Sequence, residues 1–208
     1  MTDSFSLIDR VPVVPVVVLD DVAQAVPVAE ALVAGGVPVI ELTLRTPVSL
    51  TSIEQIASRV PDILVGAGTI RTPDQAKDAV SAGAEFLVSP GTTDTLLSAM
   101  QDTGLPHLPG AATVSEVLRL LELGYDEMKL FPAEVSGGVA FLKAVGAPVP
   151  QARFCPTGGV TELSAPSYLA LPNVGCVGGT WLTPAEALRD HDWARVTRLA
   201  SESTYLPV

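Results

Sequence analysis

Reactive side chains are scarce in this 208-residue chain, which holds two cysteines, two histidines, three lysines and only 5% aromatics. Each shortage removes a class of function. Cys155 and Cys176 both sit in apolar, strand-like segments, where a small buried thiol is the ordinary outcome, and two thiols make no disulfide framework. His107 and His191 lie far apart without a CxxC or HExxH partner set, so no structural or catalytic zinc is expected. Cations are few as well: the net charge is -11, no block of Lys or Arg occurs, and nucleic acid is not an expected partner. The same charge repels anions at long range, so a phosphate or carboxylate site must be assembled from local donors. The longest apolar stretch, Val11 to Leu19, ends at Asp20-Asp21 and is too short for a bilayer crossing. MTDSFSLIDR lacks the basic start and apolar centre of a secretion signal, so the expected location is cytoplasmic, with no membrane partner.

What is abundant is apolar surface, at 48% of residues against 17% charged, enough for a substantial core. Short Val/Ile/Leu-rich runs alternate with Ala/Leu/Glu-rich stretches, the pattern of a parallel sheet with helical crossovers. About eight strands are predicted: Val13 to Leu19, Val37 to Leu44, Ile63 to Ala67, Phe86 to Ser89, His107 to Pro109, Glu127 to Phe131, Arg153 to Pro156 and Gly175 to Val177. Helices are predicted to begin near Val22, Val48, Pro73, Asp94, Val114, Gly138, Thr161, Pro184 and Asp192, several opened by a cap or an early proline, as at Thr72-Pro73 and Thr113-Val114-Ser115-Glu116. Several strands finish in small or glycine-rich turns: Val65-Gly66-Ala67-Gly68-Thr69, Ser89-Pro90-Gly91-Thr92, Pro109-Gly110-Ala111-Ala112-Thr113, Thr157-Gly158-Gly159 and Gly178-Gly179-Thr180. Strand-helix units with compact turns at one end imply an α/β fold closed as a (β/α)8 TIM barrel, with an open doubly wound sheet as the alternative. One domain over 1–208 is expected, with 1–10 as a short N-terminal extension.

Lys129 is the anomaly. Lys77 and Lys143 fall in helical stretches that leave an ammonium in water, whereas Lys129 lies inside Glu127-Met128-Lys129-Leu130-Phe131, a strand-like segment. A lysine desolvated among apolar neighbours becomes a nucleophilic amine able to form a Schiff base with a carbonyl; the alternative is a strand-end salt bridge with Asp126 or Glu127. Phe131 shares its parity and would stand beside the amine. On the second strand the same period puts Glu41, Thr43 and Arg45 on one face and Leu42 and Leu44 on the other. Turned inward, Glu41 could act as a general base and Arg45 could fork onto a carboxylate; the alternative is an ion pair between them. Thr157-Gly158-Gly159 and Val177-Gly178-Gly179-Thr180 follow the seventh and eighth strands, where barrels commonly bind phosphate through backbone N–H groups. Trp181 and Trp193 read as packing residues.

Taken together, VAEALVAGGVPVIELTLRTP, VGAGTI, FLVSPG, LPGAATVSE, MKLFPAE, RFCPTGG and VGGTWL resemble the 2-keto-3-deoxy-6-phosphogluconate (KDPG) aldolases, a group that includes enzymes also described as 4-hydroxy-2-oxoglutarate (KHG) aldolases. The resemblance runs from about Val13 to Trp181. It implies a compact barrel assembled as a homotrimer and class I chemistry with neither metal nor other cofactor. It also implies a sugar-phosphate keto acid and pyruvate as partners. Residue by residue it makes Lys129 the Schiff-base lysine and Glu41 the acid/base acting through water. Arg45 and Thr69 would bind the pyruvate carboxylate, Pro90 and Phe131 would line the pocket, and Gly158, Gly159, Gly178, Gly179 and Thr180 would hold the phosphate. Relatives often carry a basic residue after the first strand, where this chain reads Leu19-Asp20-Asp21, a departure that bears on the phosphate requirement. A phosphosugar epimerase or isomerase and a non-catalytic keto-acid-binding barrel are the rival readings.

Overall fold

The computed structural model describes residues 6–206; residues 1–5 of the expected extension lie outside that range. Runs of β-branched residues give the strands, as in β1 (Val13–Val17, VVPVV) and β2 (Val39–Thr43, VIELT), every residue of which is buried. Both faces of these strands are covered, so they read as unbroken apolar runs except where a site interrupts them. They are followed by β3 (Leu64–Gly68), β4 (Phe86–Val88), β5 (His107–Leu108), β6 (Gly110–Ala111), β7 (Glu127–Leu130), β8 (Arg153–Pro156) and β9 (Val177–Gly179). The helices are α1 (Ala25–Ala34), α2 (Ser49–Arg59), α3 (Pro73–Ser81), α4 (Asp94–Asp102), α5 (Val114–Glu122), α6 (Gly138–Gly146), α7 (Ala165–Leu169), α8 (Ala185–Arg189) and α9 (Trp193–Ser203).

Capping chemistry decides several helix starts. Thr72, Thr93 and Thr113 each accept a hydrogen bond from the backbone N–H three residues on, and Glu116 returns to the Thr113 N–H to complete a capping box. Such a cap is worth about 1 kcal/mol and turns the chain sharply out of the preceding strand. The first helix begins later than its sequence predicts, because the Asp21 carboxylate accepts from the Ala23 N–H at 2.9 Å and winds Val22–Gln24 into a 3-10 turn.

All pairings are parallel, in the orders β5-β4-β3-β2-β1-β9 and β6-β7-β8. The bridges Phe154↔Val174 and Thr157↔Gly178 join β8 to β9. The fifth strand is split: Leu108 pairs with β4 and Gly110 with β7, while Pro109 between them offers only its carbonyl, which accepts from the Lys129 N–H at 2.9 Å. With that seam counted once, eight strand-helix units close a (β/α)8 barrel.

The last strand also corrects its expected limits. Gly178 and Gly179 lie within β9, in register with Val14 and Pro15, rather than in a turn beyond it. Their missing side chains are used by neighbours: a Cβ at Gly178 would meet the Thr157 side chain, and one at Gly179 the Trp181 ring. Inside the barrel the Phe86 ring likewise occupies the place of a Gly66 side chain. Fully burying a ring of that size contributes roughly 1.5–3 kcal/mol, so Gly66→Ala would expel a substantial piece of core. Outside, Ile40 and Leu42 of β2 and Ile53 and Ile56 of α2 are completely buried in the layer between strands and helices. At the N-terminal end of the strands, Ile8 is inaccessible to solvent and packs against Gly175. Beside it Arg153 is paired with Asp9 and, at 3.3 Å, with Glu127.

Candidate active site

Glu41 stands on β2 and Lys129 on β7, strands that are not neighbours in the sheet, so the two side chains meet across the barrel interior. Lys129 Nζ donates to Glu41 Oε1 at 3.0 Å and lies 3.4 Å from Oε2, with the side chains only 6% and 4% exposed. Charged partners removed from water to this degree interact far more strongly than the same pair would at the surface. Lys77 and Lys143 are exposed. Glu127 turns instead to Ser6 and Arg153 at the other end of its strand, which disposes of the strand-end salt bridge as the explanation for Lys129. The Phe131 ring centroid is 5.6 Å from Lys129 Nζ, a cation–π distance, as their shared parity requires.

Arg45 lies just past the end of β2, exposed, and its Nε donates to Thr69 Oγ1 at 3.3 Å rather than pairing with Glu41. Thr69 has φ 62°, a left-handed conformation costing a β-branched residue of order 1–3 kcal/mol, and such strain persists where the surroundings fix the geometry. Pro90 is half-buried against Gly110, whose carbonyl accepts from Thr92 Oγ1 at 2.8 Å.

Gly158 and Gly159 have φ 95° and 84°, which only glycine adopts without strain, so the turn after β8 depends on two residues without side chains. The Phe131 ring packs over Gly158 and the Glu134 side chain over Gly159. Glu134 accepts from the Tyr168 hydroxyl at 2.6 Å; burial, then this hydrogen bond, hold the phenol well above its usual pKa. Thr157 is buried and its hydroxyl lies 3.4 Å from the Cys155 carbonyl. Cys155 is the register partner of Lys129, and both thiols are free and buried. A hydrogen bond with Cys155, and then burial, push the Cys176 thiol up, so it behaves as an unreactive apolar group. Thr180 follows β9, exposed.

Lys129, Glu41 and Phe131 are thus brought together, Arg45 and Thr69 form a second pair, and Gly158 joins the first group through the Phe131 ring. Gly178 and Gly179 are buried in the ladder. The acids after β1 divide: Asp21 serves the 3-10 turn and Asp20 is exposed. Sequence reading missed the part played by Gly68, which falls in β3 rather than in a turn. Its signal was available, since glycines at 66 and 68 share one strand face and leave a strip without side chains. A separate cavity of about 380 Å³, lined by Asp9, His107, Glu127 and Arg153, lies at the opposite end of the barrel. Burial lowers the His107 pKa and raises that of Glu127 there. Among the described residues no group of three or more His, Cys, Asp or Glu could hold a metal ion, and no helix is long and apolar enough to cross a membrane.

A closed (β/α)8 barrel with one amine and one carboxylate buried together in its interior has the framework of a barrel enzyme. Comparison with known proteins narrows the class. Residues 5–199 match the family described as KDPG and KHG aldolase, and the chain belongs to that family. It is 48% identical over 202 residues to the KHG/KDPG aldolase of Escherichia coli K12, covering 97% of this chain and 95% of that one. The crystal structure of KDPG aldolase from Legionella pneumophila, with pyruvate captured at low pH as a covalent carbinolamine intermediate, superposes with a TM-score of 0.93 at 47% identity, covering 95% of this chain and 96% of that one. That of Zymomonas mobilis ZM4, with 3-phosphoglycerate, gives a TM-score of 0.91 at 45% identity, covering 96% and 93%.

Proposed function

We propose that this chain is a class I aldolase that cleaves 2-dehydro-3-deoxy-6-phosphogluconate to pyruvate and glyceraldehyde 3-phosphate, with 4-hydroxy-2-oxoglutarate as a second substrate giving pyruvate and glyoxylate. The observation that carries the reading is the Lys129 amine buried 3.0 Å from the Glu41 carboxylate in a chain of this family. Glu41 takes a proton from Lys129, whose nitrogen then attacks the C2 ketone; Glu41 returns that proton to the carbinolamine hydroxyl, which departs as water and leaves an iminium beside the regenerated carboxylate. Glu41 next accepts the C4 hydroxyl proton as the C3–C4 bond breaks, and that bonding pair moves into the iminium to give an enamine while the aldehyde departs. Return of a proton to C3 and addition of water release pyruvate and restore the amine. Proton transfer of this kind contributes about 100- to 10,000-fold, and the covalent route divides one hard step into easier ones.

Arg45 and Thr69 hold the carboxylate of the pyruvate portion, with Pro90 and Phe131 as walls. The N–H groups of Gly158 and Gly159, with Thr157, Gly178, Gly179 and Thr180 around them, receive the phosphate. The assembly is a homotrimer and the compartment the cytoplasm. The test is borohydride reduction in the presence of pyruvate alongside a lactate dehydrogenase-coupled cleavage assay. The wild-type chain should gain a permanent adduct on Lys129 and release pyruvate, and Lys129→Met should do neither. An epimerase using Lys129 only as a charge would show no adduct, and a binding protein would show no pyruvate release.

A further inference from the structure

Glu41 has an unusual dependence on its partner. The hydrogen bonds described for its carboxylate both come from the Lys129 ammonium, and the reaction proposed above, on which this inference rests, consumes that ammonium. As iminium or enamine the nitrogen keeps at most one N–H, at the stage when the carboxylate must take the C4 hydroxyl proton and return one to C3. A side chain positioned by that hydrogen bond alone would be released when its position matters most.

What remains is shape. Gly68 on β3 stands in register with Thr43 of the neighbouring strand, two residues beyond Glu41, and the Glu41 side chain extends along the barrel interior to reach it. A Cβ placed there would lie 2.6 Å from Glu41 Cγ and 2.7 Å from its Cδ, and closer still to Oε1. The collision involves the stem of the side chain as well as its tip, so rotation of the carboxylate alone does not relieve it. The two inward glycines of β3 therefore serve different neighbours: Gly66 makes room for the Phe86 ring, a core group, and Gly68 makes room for Glu41. We propose that Gly68 is a positioning residue: its bare backbone is the wall of a slot that keeps the Glu41 carboxylate facing the Lys129 nitrogen through the iminium and enamine stages. Misplacement by about 1 Å costs on the order of 100-fold in such a step.

Gly68→Ala separates this from a general packing role, because pyruvate chemistry has two readouts. Borohydride trapping at long incubation reports the imine, which needs Lys129. Deuterium entering the pyruvate methyl group from D2O reports proton transfer at C3, which needs Glu41 in place. In Gly68→Ala the trapped adduct should persist while deuterium exchange slows about 100-fold or more. Adding Gly68→Ala to Glu41→Ala should slow exchange no further, since the carboxylate that the methyl displaces is already gone. Wild-type exchange in Gly68→Ala, or a parallel loss of adduct and exchange, refutes the proposal. If Gly68→Ala alone does not fold, the Glu41→Ala/Lys129→Met background, which buries no unpaired charge, should accept Gly68→Ala with no loss of stability in urea, the new methyl entering the vacated space; a further loss there shows that the space does not belong to Glu41. Absence of an adduct on the wild-type chain would instead sink the Schiff-base reading, a distinguishable result.

Discussion

Replacing Lys129 by methionine keeps the length and apolar stem of the side chain and leaves Glu41 as a carboxylate 4% exposed with no cation beside it. At the 3.0 Å separation seen, two unit charges attract by about 5–6 kcal/mol at an effective dielectric of about 20, a gross figure opposed by the desolvation of both groups. Removing one member of such a pair typically costs about 3–5 kcal/mol, because the survivor keeps its burial and loses its compensation. Lys129→Met and Glu41→Gln should each therefore be strongly destabilised. For a domain of this size about 1 kcal/mol corresponds to roughly 2–4 °C, so either loss should appear as a fall in Tm of about 6–20 °C. The double variant Lys129→Met/Glu41→Gln buries no charge and should recover most of that loss, ending near the wild type or above it. Urea unfolding of all four proteins closes the cycle. Single variants that lose under about 1 kcal/mol, or a double variant as unstable as the two losses summed, would show that the pair is not desolvated as described. A recovered double variant would show that the pair is dispensable for stability and that its place in the barrel is owed to chemistry.

Two further outcomes follow from the flanks of the site. With the phosphate removed from the substrate, kcat/KM should fall by at least about tenfold, since one lost hydrogen bond to a charged group is worth roughly 1.5–3 kcal/mol; equal efficiency in the pyruvate-release assay would remove the role given to Gly158 and Gly159. At the other end of the barrel, the hydrogen bond from Arg153 holds Asp9 at a pKa of about 2, below its ordinary 3.8. A depressed carboxyl pKa stabilises the fold above the unfolded value, and that stability drains away as pH falls from 3.8 toward about 2. The pair is partly exposed, so solvent screening limits the effect to about 1 kcal/mol or less. Asp9→Asn should thus be slightly less stable than the wild type in urea at neutral pH and equal to it near pH 2. A gap that widens with acidity would reverse the assigned sign.

Strand parity made the central pair legible. A lysine between Met128 and Leu130, and a glutamate between Ile40 and Leu42, each break an apolar alternation that a buried strand otherwise demands, and a closed barrel has only one place to put both. Helix starts at Pro73, Asp94 and Val114 were legible for a local reason, the threonine one residue before each. What stayed hidden depends on partners distant in sequence. Gly178 and Gly179 look like a turn until β1 is laid beside them, and only register with Val14 and Pro15 reveals a strand. Pro109 divides the fifth strand invisibly, because Leu108 and Gly110 find different neighbours. Gly68 escaped for a related reason, since what it accommodates comes from another strand. The Asp9–Arg153 link joins residues 144 positions apart, and no local pattern announces it.

The closure of the sheet between β1 and β9 has a consequence for the chain as it is made. Val13 waits for Val177, and until that last strand leaves the ribosome the nascent sheet keeps two bare edges of unpaired peptide groups. Translation at about 5–20 residues per second makes that wait many seconds, during which both edges are open to pairing with other chains. Contacts spanning most of the polypeptide also slow the final search, so folding yield in this barrel is decided late in synthesis, after Lys129 has already been added.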